Sequence, residues 1–264
     1  MRPLPLGAAT LFYKEQTVSE ALEGIARHGF DSAEVWIEHL SHSGESPGEI
    51  VQRAKELNLL LTAHATSYDL NTLSTNLGIS EESRAQVEGS LQAAAELGAR
   101  VLVVHPGRRS STRDRKQDFW PALIAWAEQV DRLAEKLGVR VGMELMEKRP
   151  KEIFMLPEDA RRFMEHGWSQ TGLTIDTAHM NTHEDPLQFL RQLEPEWIAH
   201  VHLSDNNAER THVPLGQGEI DLPALLTALR AEYAGIISLE GYVPGRGDEV
   251  LSQNMDYLRK IGFA

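Results

Sequence analysis

Residues 96–105 read ELGARVLVVH. A helical end runs into Gly98, a residue suited to the left-handed position just past a helix. A short apolar run follows and stops at a histidine. Such a run, with no alternation of polar residues, fits a strand covered on both faces, as in a parallel sheet. The phrase is not unique. It recurs as RHGFDSAEVWIE (27–38), ELNLLLTAH (56–64, with Asn58 in the glycine position), KLGVRVGMEL (136–145), HGWSQTGLTID (166–176) and YAGIISLEGY (233–242). The segments between carry helical signatures. In TVSEALEGIARHG (17–29), Val18, Ala21, Leu22, Ile25 and Ala26 fall on one helical face. Thr17 and Glu20 have capping-box spacing. Ser46, Pro47 and Glu49 offer a cap, a first-turn proline and a residue that reaches back. A further helix is expected from cap Ser80 to stop Gly98.

Counted along the chain, strands are predicted at about 4–10, 33–37, 59–63, 101–105, 140–144, 172–176, 198–203 and 236–240, each followed by a helical pattern, the last near 247–260. Eight strand–helix units in 264 residues, with no linker or low-complexity segment, predict one α/β domain over residues 1–264, a single TIM (β/α)8 barrel. An open Rossmann-like sheet would want a glycine-rich fingerprint after its first strand, and GAATLFYKE (7–15) is not one.

Composition narrows the function. The chain is 41% hydrophobic and 25% charged, that of a protein with a sizeable core. Its net charge of −13 argues against general affinity for a nucleic-acid backbone. There is no cysteine, so metal ligands must be His, Asp or Glu. No apolar stretch approaches the ~18 residues of a membrane span. The start is read as a buried first strand rather than a signal peptide, because Pro3 and Pro5 break its short apolar stretch. A cytoplasmic location is expected.

Six consecutive predicted strands end in a residue able to bind metal: His64, His105, Glu144, Asp176, His202 and Glu240. In a barrel all strand C-termini meet at one face. Three carboxylates gathered there without a cation would repel and raise one another's pKa. A divalent ion resolves the conflict, and oxygen with imidazole donors suits Zn, Mn, Co, Fe or Mg. Nothing in the sequence asks for an organic cofactor.

The chain resembles the xylose isomerase-like TIM-barrel superfamily, in its sugar phosphate isomerase/epimerase branch. The motifs carrying the resemblance are HATSYDLN (64–71), VVHPG (103–107), GMEL (142–145), IDTAH (175–179), HVHLSDN (200–206), HVPLGQGEID (212–221) and SLEGY (238–242). The resemblance implies Glu144, Asp176, His202 and Glu240 as metal ligands, Glu144 and Glu240 also as the proton-transfer pair, and His179 and Arg210 as contacts to substrate oxygens. The superfamily also contains abasic-site DNA endonucleases with three zinc ions. His64 and His105 match ligands of their additional zinc, and His179 and His212 match ligands of their third. Arg210 stands where that third site wants an aspartate, which weakens the trinuclear reading. His64 and His105 are left open between a second metal and hydrogen bonds to substrate hydroxyls.

The expected activity is a metal-dependent sugar or sugar-phosphate isomerase or epimerase. A proton α to a carbonyl is removed, and the metal stabilises the resulting enediolate. The alternatives are a metal-dependent phosphoester hydrolase, a cyclitol ketone dehydratase, a hydride shift in place of proton transfer, and a barrel kept only for binding. The expected partner is a small-molecule carbohydrate, without nucleic acid or membrane, and a homo-oligomer is left open. Two loops beside the expected site, 65–80 and 106–120, are long. The second carries Arg108, Arg109, Arg113, Arg115 and Lys116, a phosphate grip or a solvated loop. Phe12, Trp36 and Trp120 are read as site walls or core, His183 as a surface residue, and the Gly216–Gly218 pair as a turn before a helix capped near Asp221.

Overall fold

A computed structural model describes residues 4–207 and 209–264. Its strands are β1 (Leu6–Ala9), β2 (Ser32–Trp36), β3 (Leu60–His64), β4 (Val101–Val104), β5 (Arg140–Glu144), β6 (Thr171–Asp176), β7 (Ile198–Leu203) and β8 (Ile237–Leu239). They pair in parallel, in chain order, and β8 closes onto β1. The barrel is therefore the predicted TIM (β/α)8 fold. The helices are α1 (Val18–Arg27), α2 (Ile37–Ser43), α3 (Pro47–Glu56), α4 (Leu77–Leu97), α5 (Trp120–Leu137), α6 (Pro157–Met164), α7 (Thr177–Asn181), α8 (Pro186–Leu190), α9 (Leu222–Glu232) and α10 (Gly247–Lys260). Among the described residues no helix is long and apolar enough to cross a membrane.

Local chemistry sets the element ends. Thr17 with Glu20, and Ser46 with Glu49, form reciprocal capping boxes that open α1 and α3. Asp221 accepts from Ala224 N and starts α9. Gly98 and Gly138 close α4 and α5 at φ 61° and 67°, where a side chain would be strained. One helix start differs from expectation. α4 begins at Leu77 because the Asn76 side chain accepts from Gly78 N and Ile79 N. Ser80 lies inside the helix, its hydroxyl donating to Leu77 O. Ser and Asn are both good caps, and only tertiary context separates them.

The helices pack one apolar stripe onto the outside of the barrel. On α1 the stripe is Val18, Ala21, Leu22 and Ile25, all fully buried. Burying a side chain the size of Leu22 stabilises by roughly 1.5–3 kcal/mol. Inside the barrel the two-residue alternation puts polar groups in layers. Register pairs Glu34 with Thr62 and Trp36 with His64, and pairs Thr174 with His200 and Asp176 with His202. His64, Asp176 and His202 thus share the upper layer at the barrel mouth, and Glu34, Thr62, Thr174 and His200 the layer beneath.

Candidate metal centre at the barrel mouth

Four strands deliver the predicted ligand set. Glu144 and Asp176 are the last residues of β5 and β6, His202 is the fifth residue of β7, and Glu240 follows β8 directly. Ligating atoms of Glu144, Asp176, His202 and Glu240 all lie within 4.8 Å of one another. Donors about 2.0–2.2 Å from a common centre are separated by no more than about 4.4 Å, so the side chains are close to a coordinating arrangement. His202 Nδ1 is 2.8 Å from Glu240 Oε2 and 3.4 Å from Glu144 Oε1.

The strongest sign that a cation fits is what these atoms lack. Glu144 Oε1 and Oε2, Asp176 Oδ2, His202 Nδ1 and Glu240 Oε2 are buried and have no hydrogen-bond partner among the described residues. His202 Nδ1 and Glu240 Oε2 approach closely but without hydrogen-bond alignment. Leaving several buried polar groups unanswered costs a few kcal/mol each. Native structures tolerate that where an ion or ligand belongs. Asp176 divides its labour: Oδ1 accepts from His179 N and caps α7, and Oδ2 faces the cluster.

Burial opposes ionisation of every carboxyl here, and the outcome depends on which imidazole lies close. For Glu144, burial is outweighed by His105 and His202, and its carboxyl is held well below the usual range. For Glu240, burial is outweighed chiefly by His202 and His212, and its pKa falls to about 2. For Asp176, burial wins over His179 and His212, and its pKa rises. His179 moves the other way. Burial lowers it, but Asp176, Glu144, Glu147 and Glu240 together raise it to about 9.

The remaining predicted residues fall in two groups. His64, His105 and Glu144 bring ligating atoms within 4.8 Å of one another, as do Asp176, His179 and His212. His105 Nε2 is 3.0 Å from Glu144 Oε2. His64 donates from Nδ1 to Ala65 O at 2.8 Å, which leaves Nε2 bare. The anionic member of the second triad is Asp176 rather than a residue at position 210. Arg210, by contrast, is exposed in a turn whose backbone N–H donates to Asn207 Oδ1, and no contact among the described residues brings its side chain to the cluster.

Sequence reasoning passed over several neighbours. Glu147 is buried, with Oε2 3.4 Å from His179 Nε2. Buried Glu38 receives the backbone N–H groups of Ser67 and Tyr68, and so anchors the loop after β3. Glu34 and His200 lie directly below His202. The alternation in HVHL put His200 and His202 on one strand face, and Glu34 interrupts an apolar strand. Both signals were present in the sequence.

Other expectations resolve structurally. In the 106–120 loop, Arg109 binds the carbonyls of Asp114 and Pro150, Arg115 pairs with Asp118, and Lys116 pairs with Asp159. Three of the five cations are thus engaged in holding the loop. Trp36 stacks on His64 with ring centroids 4.0 Å apart, whereas Trp120 packs against Phe154 in the helical layer and Phe12 is core. His183 is half-buried and bonded to Met146 O. The Gly216–Gly218 turn wraps buried Asp205, whose carboxylate accepts from Gly216 N, Gly218 N and Ile220 N. A Cβ on Gly218 would lie 2.2 Å from Asp205 Oδ1, so the turn is built for that carboxylate and not for a phosphate.

A family model described as xylose isomerase-like TIM barrel matches residues 22–261. The chain belongs to that family. Within the xylose isomerase-like barrels, an uncharacterized protein of Methanocaldococcus jannaschii is 26% identical over 244 residues, 90% of this chain and 83% of its own length. A probable endonuclease 4 of Mycobacterium tuberculosis is 25% identical over 247 residues, covering 88% of this chain and 93% of its own. The crystal structure of a D-tagatose 3-epimerase-like protein superposes with a TM-score of 0.85 at 23% identity, covering 98% of this chain and 97% of the other.

Proposed function

We propose that this chain is a divalent-metal-dependent isomerase or epimerase of a sugar or sugar phosphate. The observation that carries the reading is the set of buried, unanswered atoms on Glu144, Asp176, His202 and Glu240 at the barrel mouth. The oxygen and imidazole donors suit Zn or Mn best among the divalent ions. The structural likeness to a D-tagatose 3-epimerase-like protein agrees with it. A bound divalent ion would supply Lewis-acid stabilisation of charge developing on two adjacent substrate oxygens.

The chain's own groups supply the rest. Glu144 and Glu240 reach the site from β5 and from the end of β8, three strands apart around the barrel. They are therefore placed to serve two faces of one substrate carbon, one removing a proton α to the carbonyl and the other returning it. The one that removes the proton enters ionised, and its partner enters protonated so that it has a proton to return. His179, whose pKa the neighbouring carboxylates raise and whose Nδ1 is steered by Leu145 O at 3.1 Å, is the group offered to a substrate oxygen. Trp36, stacked on His64, forms an apolar wall beside them. Incubating the metal-loaded protein with a panel of ketoses in D2O tests the reading. Deuterium should enter at the carbon beside the carbonyl, and a panel that stays protonated throughout contradicts it.

A phosphoester hydrolase is the second reading, favoured by the two further triads and by the endonuclease relative. The net charge of −13 opposes a DNA substrate. Metal stoichiometry separates the two: about one ion per chain for the epimerase, three together with cleavage of abasic duplex for the hydrolase.

A further inference from the structure

The geometry points to Glu34 as a positioning residue that selects the metal-binding form of His202, with His200 holding Glu34 in place. This rests on the metal centre proposed above and concerns the layer beneath it. Glu34, His200 and His202 are all completely buried. Glu34 Oε2 lies 2.7 Å from His200 Nε2, and His202 Nε2 sits 3.1 and 3.2 Å from the two Glu34 oxygens. Among the described residues, the ion-pair partners of Glu34 are these two imidazoles. A carboxylate this deep in a barrel is costly unless its lone pairs are answered by donors. Both ring nitrogens must therefore carry protons toward it.

That requirement fixes the other side of the His202 ring. A neutral imidazole has one N–H and one bare nitrogen. With Nε2–H donated to Glu34, Nδ1 keeps its lone pair, and Nδ1 is the atom that faces Glu144 and Glu240. The opposite tautomer would aim a lone pair at the Glu34 carboxylate and is disfavoured. The carboxylate also raises the donor strength of the ring, as outer partners of ligating histidines generally do. His200 shares the alternation of β7 with His202 and donates to the same carboxylate, so it restrains Glu34 against rotating away. The two-residue spacing of HVHL thereby links a buried layer to the mouth above it.

The test is Mn²⁺ affinity of the full-length wild-type protein and of Glu34→Gln, measured by competition with a chelating dye. Glutamine keeps the shape but offers one carbonyl oxygen and an N–H₂ group. With the oxygen held by His200, the NH₂ group takes the Oε1 position 3.1 Å from His202 Nε2 and opposes the tautomer that carries a proton there. Affinity should fall about 10- to 100-fold. Equal affinity in the two proteins overturns the role of Glu34 while leaving the metal centre intact, whereas a wild type that binds no Mn²⁺ overturns the metal centre itself. The ring ¹⁵N spectrum of Zn²⁺-loaded wild type needs no variant to fold. It should show His202 protonated at Nε2 and metal-bound at Nδ1. Protonation at Nδ1, or metal on Nε2, overturns the proposal.

Discussion

Glu240 is the residue on which the proposed chemistry turns. Its carboxylate faces His202, is 13% exposed, and lies within reach of the other three donors. Glu240→Gln keeps one oxygen for metal and removes the base. Solvent-deuterium uptake into the ketose should then fall about 10²- to 10⁴-fold, the usual contribution of a positioned proton-transfer group. Full uptake in that variant, followed by NMR, would remove Glu240 from the proton path. His179 makes a different prediction. A hydrogen bond from a charged donor is worth about 1.5–3 kcal/mol. His179→Gln should therefore lower kcat/KM about 10- to 100-fold in steady-state assays. At this scale the sequence was informative wherever a polar residue ended an apolar run, because burying it without purpose is expensive. It was silent on Glu147, whose place beside His179 depends on the path of the loop after β5. Arg210 is exposed, with its backbone N–H donating to Asn207 Oδ1, a placement that no local sequence signal announces.

Among the elements, one tertiary contact and one loop carry testable structure. Asp248, in the first turn of α10, binds Tyr13 Oη, Arg27 and His28, and so ties α10 to α1 and to the turn after β1. Arg27, ahead of His28 and Tyr13, holds the Asp248 carboxyl down at about 2. Its folded pKa lies below its unfolded one. The contact therefore stabilises above the unfolded value of about 3.9 and is lost as pH falls toward 2. Because Asp248 is more than half exposed, solvent screening limits the effect to about 1 kcal/mol. Urea unfolding should show Asp248→Asn less stable than wild type at pH 7, with the gap closing between about pH 4 and pH 2. In the 205–220 loop, Gly218→Ala would push a methyl into Asp205. A loss of about 1–3 kcal/mol is expected in the same assay, as for other overpacked sites. Strand ends and capping boxes were readable because their signals are local. The start of α4 was not, since Asn76 and Ser80 are equivalent caps until the chain around them is packed.

On the scale of the whole molecule, closing eight parallel strands gathers acids that are tens of residues apart in sequence into one mouth. An order of strands and a period of two sufficed to foresee the upper layer. The polar layer beneath it, with Glu34 and His200, is harder to read, because each lies inside its strand, two residues before Trp36 and His202, and not at the end of an apolar run. Gathering this much negative charge should make the folded state depend on a cation. A ligand at 100 times its Kd adds about 2.7 kcal/mol. For a chain of this size that raises Tm by roughly 5–10 °C. Thermal melts with and without Mn²⁺, and with EDTA, should show that interval, and melts that coincide would speak against a resident metal.

The most direct measurement is the anomalous difference map of a crystal grown with Mn²⁺. The account predicts a peak at the barrel mouth about 2.0–2.3 Å from Glu144, Asp176, His202 Nδ1 and Glu240. A map with no peak among those four side chains, in a crystal where Mn²⁺ is bound elsewhere or not at all, would contradict it.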